Sequence, residues 1–234
     1  MKIGFDAKRA FHNKTGLGNY SRSVIQSIAD IDVDNKLHLI TPTLNLENFN
    51  IQHDNINIVQ APFFSNKSYW RFKSVTKQLE KLKIDVYHGL SNEIPYGIKL
   101  KSVVTIHDLL FLKYPQFYNY IDRKIYYIKS KLACKQANQI IATSQQTKKD
   151  IINYFNISEH KIHVIYQTCQ SEFIKHTNTQ ALDINIQQNI KDPFILYVGS
   201  IEERKNLIFL LQALKKINKE IKLICVGKKG RYYK

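Results

Sequence analysis

The stretch QIIATSQQTKKDIINY, residues 139–154, carries the pattern that decides the fold. It opens with a short apolar run, Gln139–Thr143, which is typical of a buried strand. Ser144 then offers a hydroxyl that can cap a helix, and apolar residues recur at helical spacing as far as Tyr154. A second apolar run, Ile162–Ile165, follows, so this part of the chain predicts a strand–helix–strand unit.

The same alternation continues towards the amino terminus. Further strands are predicted at Lys2–Phe5, Leu37–Ile40, Ile56–Val59, Asp85–His88 and Val103–Ile106. Helices are predicted after the first strand, over Tyr69–Leu82 and over Ile121–Ala137. Strands separated by helices favour right-handed crossovers and an open parallel sheet with helices on both faces. Residues 1–168 therefore predict one complete Rossmann-like, doubly wound α/β domain.

The alternation breaks in residues 169–192, which are rich in Gln, Asn and Thr and are predicted to be a linker. It restarts with a strand at Phe194–Val198, a helix at Leu207–Ile217 and a strand at Ile221–Val226. Residues 193–234 are too few to cover both faces of a sheet. They therefore predict only the first βαβ unit of a second Rossmann-like domain.

Composition excludes several classes of protein. With 44% apolar residues, 8 Gly and 5 Pro, the chain of 234 residues is neither disordered nor collagen-like, and three widely spaced cysteines offer no disulfide framework or zinc cluster. The 35 basic and 19 acidic residues give a net charge of +16. This excess favours a polyanionic partner, although a solvated, lysine-rich surface is the alternative. No apolar run is long enough to span a membrane and no signal peptide is recognisable, so the sequence predicts a cytoplasmic protein.

The segment Gly16–Gly18 lies between the first strand and its helix, where glycines let the backbone approach a ligand closely. The spacing is not that of a dinucleotide-binding fingerprint, because Ser21 stands where the third glycine would be. The preceding residues include Lys8 and Arg9, and they predict a flexible basic loop that folds over a ligand. A glycine-containing turn with no ligand is the alternative.

His107 follows a predicted strand, at the end where ligands bind in open α/β sheets. It could hydrogen-bond a ligand hydroxyl or transfer a proton, and His88 ends a neighbouring strand at the same rim. A metal site would need more ligands nearby, and only Asp108 is close in sequence, so no metal is predicted. A packed or capping histidine is the alternative interpretation.

Two adjacent cations, Arg204 and Lys205, precede the predicted helix that starts at Leu207. Cations are unfavourable at a helix amino terminus unless an anion also binds there. The pair therefore predicts a diphosphate site, in which Arg supplies a fork and Lys a point charge. A solvated pair neutralised by Glu202 and Glu203 is the alternative.

These motifs, in this order, resemble glycosyltransferase family 4. The segments that carry the resemblance cover nearly the whole chain and are Asp6–Arg9, Thr15–Tyr20, Val86–Gly89, Thr105–Leu109, Ile141–Ser144, Leu196–Gly199 and Glu203–Leu207. The resemblance implies the GT-B architecture, with an acceptor in the first Rossmann-like domain and a sugar nucleotide mainly in the second. It also implies sugar transfer with retention of configuration, without a bound metal or other cofactor.

The resemblance also implies roles for individual residues. His107 would be catalytic, contacting the donor sugar at the reacting centre. The donor diphosphate would be bound by Arg204, Lys205 and Gly16. The acceptor side of the cleft would be lined by Gly18, His88, Asp108 and Ser144.

The chain departs from the family pattern because it ends before the Glu-x7-Glu motif expected late in the second domain. We therefore expect a truncated enzyme that is inactive or impaired alone, and a non-catalytic scaffold or partner subunit is an alternative function. The family also implies contact with an anionic membrane surface at the inner face, for which the helix around Trp70 and Phe72 is a candidate. A nucleic-acid-binding protein is disfavoured, because no recognition helix or basic stripe with interleaved aromatic residues stands out.

Overall fold

Helices and strands alternate along the chain, as the apolar pattern predicts. The structure is a computed structural model that describes residues 1–31, 34–168, 192–217 and 220–228. The chain divides into two compact units, Met1–Gln170 and Ser171–Lys234. Nearly all of the predicted linker, and Cys169 with it, lies outside the described residues.

The first unit is built on a seven-stranded sheet in which every pairing is parallel. Its strands are β1 (Lys2–Asp6), β2 (Lys36–Thr41), β3 (Ile56–Gln60), β4 (Val86–Gly89), β5 (Lys101–Ile106), β6 (Gln139–Ala142) and β7 (Ile162–Val164). They lie in the order β3-β2-β1-β4-β5-β6-β7, and Phe5 of β1 pairs with Leu39 on one side and His88 on the other. The predicted open parallel sheet is confirmed.

Helices connect the strands and cover both faces of this sheet. They are α1 (Lys8–His12), α2 (Gly16–Ile31), α3 (Lys67–Tyr69), α4 (Val75–Leu82), α5 (Leu110–Lys113), α6 (Tyr120–Gln136) and α7 (Gln145–Phe155), with short 3-10 turns at Pro115–Phe117 and Glu159–Lys161. The predicted cap of α7 is confirmed, because the Ser144 hydroxyl accepts the Thr147 N–H at 3.0 Å. Ile151 and Phe155 then lie on the buried face of that helix, which ends at Asn156 in a left-handed conformation.

Two separate apolar clusters pack on the sheet, as expected when parallel strands are buried on both faces. One contains Phe5, Leu39 and Ile25 of α2. The other contains Ile40 of β2 together with Tyr87 and Ile106. Leu39 and Ile40, which are neighbours on β2, thus belong to opposite cores, and this explains the nearly continuous apolar runs in the sequence.

The helix predicted over Tyr69–Leu82 is interrupted by a π-helical segment, Trp70–Ser74, between α3 and α4. Both Trp70 and Val75 are buried, although residues five apart in an α-helix lie about 140° apart around its axis. The wider π turn lets both side chains reach the core. Of the two aromatic residues of the helix suggested for membrane docking, Trp70 is buried, whereas Phe72 is exposed.

The prediction of a flexible loop between β1 and Gly16 is wrong, because α1 occupies that segment. Ala10 and Phe11 of α1 are fully buried, and the ring of Phe11 packs against Phe49 at 5.5 Å. The Arg22 guanidinium donates hydrogen bonds to the carbonyl oxygens of Ala10 and Asn13. Buried apolar contacts and these bonds hold the segment in place.

The second unit has the predicted strand–helix–strand order. Its elements are β8 (Phe194–Val198), a 3-10 turn (Glu203–Lys205), α8 (Leu207–Leu214) and β9 (Lys222–Val226). β8 and β9 pair in parallel, with Leu196 opposite Ile224. Large apolar side chains of this unit are exposed, among them Leu196, Val198 and Phe209.

Candidate functional site

The strand order of the first unit changes direction between β1 and β4. From β1 the chain continues to β2 and β3 on one side, whereas β4 to β7 extend the sheet on the other. At such a point the carboxyl ends of the strands leave a crevice in which ligands bind. β1 ends here at Asp6, β4 at Gly89 and β5 at Ile106, directly before His107.

A cavity of about 180 Å³ lies at this edge of the sheet. Its polar wall contains Arg9, Asn92, Glu93, His107, Asp108 and Lys129. Phe111, Tyr118 and Tyr126 form an aromatic side. The Nε atom of Arg9 is buried and has no hydrogen-bond partner in the described part of the chain. A wall that mixes aromatic rings with a few polar and charged groups is typical of small-molecule sites.

His107 is held rigidly in this wall. Its Nε2 lies 2.9 Å from the carbonyl oxygen of Leu90, and because a carbonyl can only accept, Nε2 carries the proton. Nδ1 then accepts from the Gln167 amide at 2.9 Å, and the Tyr20 ring meets the imidazole edge-on at 4.7 Å. Burial lowers the pKa of His107, so the ring is neutral at pH 7.

His88 lies beneath the rim predicted for it, because its side chain is buried on one face of the sheet, next to Phe5. Its Nε2 contacts the Thr105 hydroxyl at 2.9 Å, and the same hydroxyl contacts the Tyr20 hydroxyl at 3.0 Å. Burial, assisted by His107, lowers the pKa of His88 to about 4. His88 therefore supports Tyr20 and His107 from below and is not among the residues that line the cavity.

Arg71 joins two carboxylates at the ends of β1 and β4. Its guanidinium donates to both carboxylate oxygens of Asp6 and to Glu93, and Lys129 lies 3.3 Å from the same Glu93 oxygen. Burial would raise the pKa of Glu93, but Arg71 and Lys129 outweigh it and lower that pKa. For Arg71, burial alone would lower the pKa, but the charges of Asp6 and Glu93 outweigh burial and raise it, so Arg71 is charged at pH 7.

A second cavity of about 170 Å³ adjoins this ionic cluster. Glu93 and Lys129 line it as well as the first cavity, so this pair stands between the two. The wall also includes Lys8, Lys67 and Arg71. Burial and the charge of Arg71 lower the pKa of Lys8, as expected for a cation in a crowded basic environment.

The other predicted residues of the first unit have different positions. Asp108 lines the first cavity, and its carboxylate accepts the N–H of Leu110 at the start of α5. Ser144 uses its hydroxyl to cap α7. Gly16 is exposed at the start of α2, whereas Gly18 is buried within the first turn of that helix. Neither glycine nor Ser144 is in the wall of the cavity.

Arg204 and Lys205 lie in the 3-10 turn after β8. Arg204 pairs with Glu202 at 2.9 Å, and both side chains are well exposed. For Arg204, therefore, the alternative of a solvated cation neutralised by a neighbouring glutamate applies. A Cβ atom on Gly199 would lie 2.6 Å from Nζ of Lys205. The ammonium group of Lys205 therefore lies directly over the backbone at the carboxyl end of β8.

Sequence reasoning missed Arg71, Glu93 and Lys129. Arg71 belongs to a predicted helix with several basic residues on its exposed face, so nothing in the sequence distinguishes it from them. Its partner Asp6 is 65 residues away in the chain. Glu93 follows β4 without a motif, and Lys129 is one of many lysines. The only available signal was the position of Asp6 directly after a predicted strand.

Metal and membrane features can be assessed for the described ranges. There, no group of three or more His, Cys, Asp or Glu side chains is arranged to hold a metal ion. Within the same residues, no helix combines the length and apolar character needed to cross a bilayer. Cys134 is buried and Cys225 is exposed, and both are free thiols.

We expect the protein to lose stability as the pH falls from about 6.5 to 4, because protonation of buried His88 is more favourable in the unfolded chain. The contribution of neutral His88 to the free energy of unfolding is complete above the pKa that this histidine has in the unfolded chain. It is lost as the pH approaches the pKa of about 4 that His88 has in the folded protein. Between pH 7 and 4.5 the wild type should lose about 2 kcal/mol more free energy of unfolding than His88→Gln. Urea unfolding followed by fluorescence of Trp70, the only tryptophan, measures the difference.

The matched control is His160→Gln, which removes an exposed histidine and should keep the wild-type loss. If His88→Gln loses as much stability as the wild type over this pH range, the assignment to His88 is wrong.

Comparisons with known proteins agree with this arrangement. A family model described as Glycosyltransferase Family 4 matches residues 16–169, about two thirds of the chain. The O-antigen chain mannosyltransferase B of Escherichia coli is 24% identical, with 95% of this chain and 62% of that protein covered. The N-acetylgalactosamine-N,N'-diacetylbacillosaminyl-diphospho-undecaprenol 4-alpha-N-acetylgalactosaminyltransferase of Campylobacter jejuni is 27% identical over 39% of this chain and 24% of that protein.

Among solved structures, the Anabaena protein Alr3699/HepE in complex with UDP and glucose matches with a TM-score of 0.63. The match covers 98% of this chain and 61% of that chain at 15% identity, a level that shows the fold alone. It confirms the GT-B type α/β fold predicted from the sequence. The chain thus spans a little over 60% of the length of the Escherichia coli and Anabaena proteins.

Proposed function

The chain belongs to glycosyltransferase family 4, and from this premise we propose that it takes part in moving a sugar from a nucleotide-sugar donor to a glycan or lipid-linked acceptor. We further propose that the transfer retains the configuration of the sugar. The names of the relatives support this range of acceptors, since one refers to an O-antigen chain and another to a diphospho-undecaprenol. UDP in the Anabaena complex supports a nucleotide donor.

The observation that carries the proposal is the cavity at the carboxyl ends of the strands, where the strand order of the first unit changes direction between β1 and β4. Sugar rings have apolar faces and polar edges, which matches a wall with Phe111 and Tyr126 on one side and Arg9 and Asp108 on another. The buried, unpaired Nε of Arg9 offers a donor that a ligand oxygen would satisfy. We assign this cavity to the acceptor sugar.

His107 would contact the donor sugar through its Nδ1 atom. In the structure both ring nitrogens are engaged, with Nε2–H bonded to Leu90 and Nδ1 accepting from Gln167. Displacement of Gln167 would free an acceptor for a sugar hydroxyl while the bond to Leu90 keeps the ring oriented. A neutral histidine fixed in one tautomer suits this positioning better than proton transfer.

Arg204 and Lys205 would bind the donor diphosphate and stabilise the negative charge that develops as it leaves. Their position after β8 supports this role, because ligands of parallel sheets bind at the carboxyl ends of strands. The Arg204 pair with Glu202 is exposed and therefore easily exchanged for a phosphate. We propose that these cations replace a metal ion in the reaction.

We expect the full chain to bind UDP saturably in titration calorimetry, and the double change Arg204→Ala/Lys205→Ala to weaken that binding about tenfold to a hundredfold. Chelation by EDTA should leave the affinity unchanged. The control Lys215→Ala removes one exposed lysine after α8 and should bind UDP like the wild type.

Radiolabelled UDP-sugars then test for transfer to a lipid-linked or glycan acceptor. Absence of binding to any nucleotide sugar would contradict the donor assignment and favour the scaffold alternative. Unchanged binding in the double variant would show that other residues bind the diphosphate.

For the location of this activity, we propose the cytoplasmic face of a membrane, to which the chain binds peripherally. α6 exposes Tyr120, Ile121 and Ile128, whose side chains are 59%, 66% and 61% accessible. Arg123 and Lys124 lie over the Tyr120 ring at 5.6 and 4.5 Å. Exposed apolar and aromatic side chains beside cations are typical of helices that bind anionic lipid surfaces.

A further inference from the structure

The second cavity of the first unit, next to the proposed acceptor-sugar cavity, is strongly basic. Its wall contains four cationic side chains, those of Lys8, Lys67, Arg71 and Lys129. Thr43 and Ser68 add polar groups to the same wall. A volume of about 170 Å³ is room for a compact anionic group.

The cations of this cavity outnumber the carboxylates that contact them. Arg71 and Lys129 are engaged with Asp6 and Glu93. Within the described ranges, Lys8 and Lys67 form no ion pair. Four positive and two negative charges leave an excess of two, which a dianionic ligand would neutralise.

Two exposed aromatic residues lie in the chain just before Lys67 and Ser68, which line the cavity. Phe63 and Phe64 are 88% and 97% accessible and meet edge-to-face at 5.1 Å. They precede Asn66, whose side chain accepts the N–H of Tyr69 and thereby starts the short helix that carries Lys67. Two large apolar side chains in water are costly unless an apolar partner covers them.

We propose that this cavity binds the diphosphate group of an acceptor carried on an apolar lipid chain, with the lipid running over Phe63 and Phe64. This assignment rests on the proposed function, from which it selects lipid-linked acceptors over free glycans. The shared Glu93–Lys129 pair places the diphosphate beside the cavity assigned to the sugar. Sugar, diphosphate and lipid thus follow one another across adjacent surfaces of the first unit.

A nucleotide diphosphate fits this surface less well than a lipid diphosphate. A base needs hydrogen-bonding partners for its edges, and Phe63 and Phe64 offer apolar rings without such groups. A lipid chain needs only apolar area.

Titration calorimetry on the full chain tests the assignment, with Arg204→Ala/Lys205→Ala as the parent so that the proposed donor site does not contribute. Inorganic diphosphate, farnesyl diphosphate and UDP are the three probes. Lys8→Gln/Lys67→Gln should weaken binding of both inorganic and farnesyl diphosphate about 30-fold. Phe63→Ser/Phe64→Ser should weaken farnesyl diphosphate about tenfold and leave inorganic diphosphate unchanged.

The matched control is Lys36→Gln/Lys101→Gln, which removes two exposed lysines at the amino-terminal ends of β2 and β5, the opposite edge of the sheet. It should bind all three probes like the parent. If the change at Lys8 impairs folding, Lys67→Gln alone replaces the double variant. Lys67 is exposed, and its change should weaken binding of inorganic and farnesyl diphosphate about tenfold.

Failure of the parent to bind inorganic diphosphate, or equal binding by the lysine variant, would overturn the site. If the lysine change reduces UDP binding as much as farnesyl diphosphate binding, the assignment to a lipid-linked acceptor is wrong. Both results are independent of whether Arg204 and Lys205 bind a donor, so failure of the proposed function is seen separately.

Discussion

Replacing Arg71 by methionine should destabilise the first unit by about 3–5 kcal/mol. The change leaves the carboxylates of Asp6 and Glu93 without their shared partner in a site where their side chains are only 4% and 21% exposed. An uncompensated buried charge costs far more than a surface pair gains. Urea unfolding followed by fluorescence of the adjacent Trp70 measures the loss.

The loss should shrink as the pH falls, because the charge of Arg71 lowers the pKa of Glu93 and its stabilising effect on that carboxylate ends once Glu93 is protonated. The control Lys148→Met breaks an ion pair of the same unit whose partner, Glu159, is 73% exposed, and should leave the unfolding curve unchanged. A loss as small for Arg71→Met as for Lys148→Met would show that the ionic cluster does not hold β1 and β4 together.

Gly18→Ala should destabilise the first unit by about 3 kcal/mol or more. A Cβ atom at this position would lie 1.7 Å from the carbonyl oxygen of Asn13, which is backbone and cannot rotate away. Asn13 also joins α1 to α2, since its side chain accepts the N–H groups of Thr15 and Gly18 and its carbonyl accepts from Arg22. Moving Asn13 would disturb the hydrogen bonds that connect α1 to α2.

Gly16→Ala is the matched control two residues earlier. A Cβ atom there meets nothing within 4 Å, so the change should be neutral or stabilise by up to about 1 kcal/mol through the lower entropy of the unfolded chain. Thermal unfolding of both variants distinguishes the two glycines. Equal effects would mean that close packing does not explain the glycine at position 18.

The sequence predicts the fold well because strand and helix signals are local. Apolar runs such as Val103–Ile106 and the Ser144 cap need only a few neighbouring residues to be recognised. The π-helical segment Trp70–Ser74 escaped prediction, because its cause is the demand that both Trp70 and Val75 reach the core. That demand exists only after the sheet has formed.

The candidate site is less visible in the sequence. His107 and Asp108 could be found because they follow a strand, and both line the cavity. His88 also lies near the carboxyl end of a strand, yet its side chain is buried against Phe5 and Thr105 of the neighbouring strands. Arg71 has no local signal at all, because its role depends on the ion pair with Asp6, which is distant in the chain.

The strand order also has a consequence for how the chain acquires its site during synthesis. β1 is made first, yet its pairing with β4 joins Ile3 to Val86, and the Tyr20–Thr105 and His107–Gln167 contacts span 85 and 60 residues. Closing such long loops costs entropy before any contact repays it, which slows folding. The site at the carboxyl ends of β1, β4 and β5 is therefore complete only after Gln167 has left the ribosome, and the edge of β1 that pairs with β4 is open to aggregation until β4 has been made.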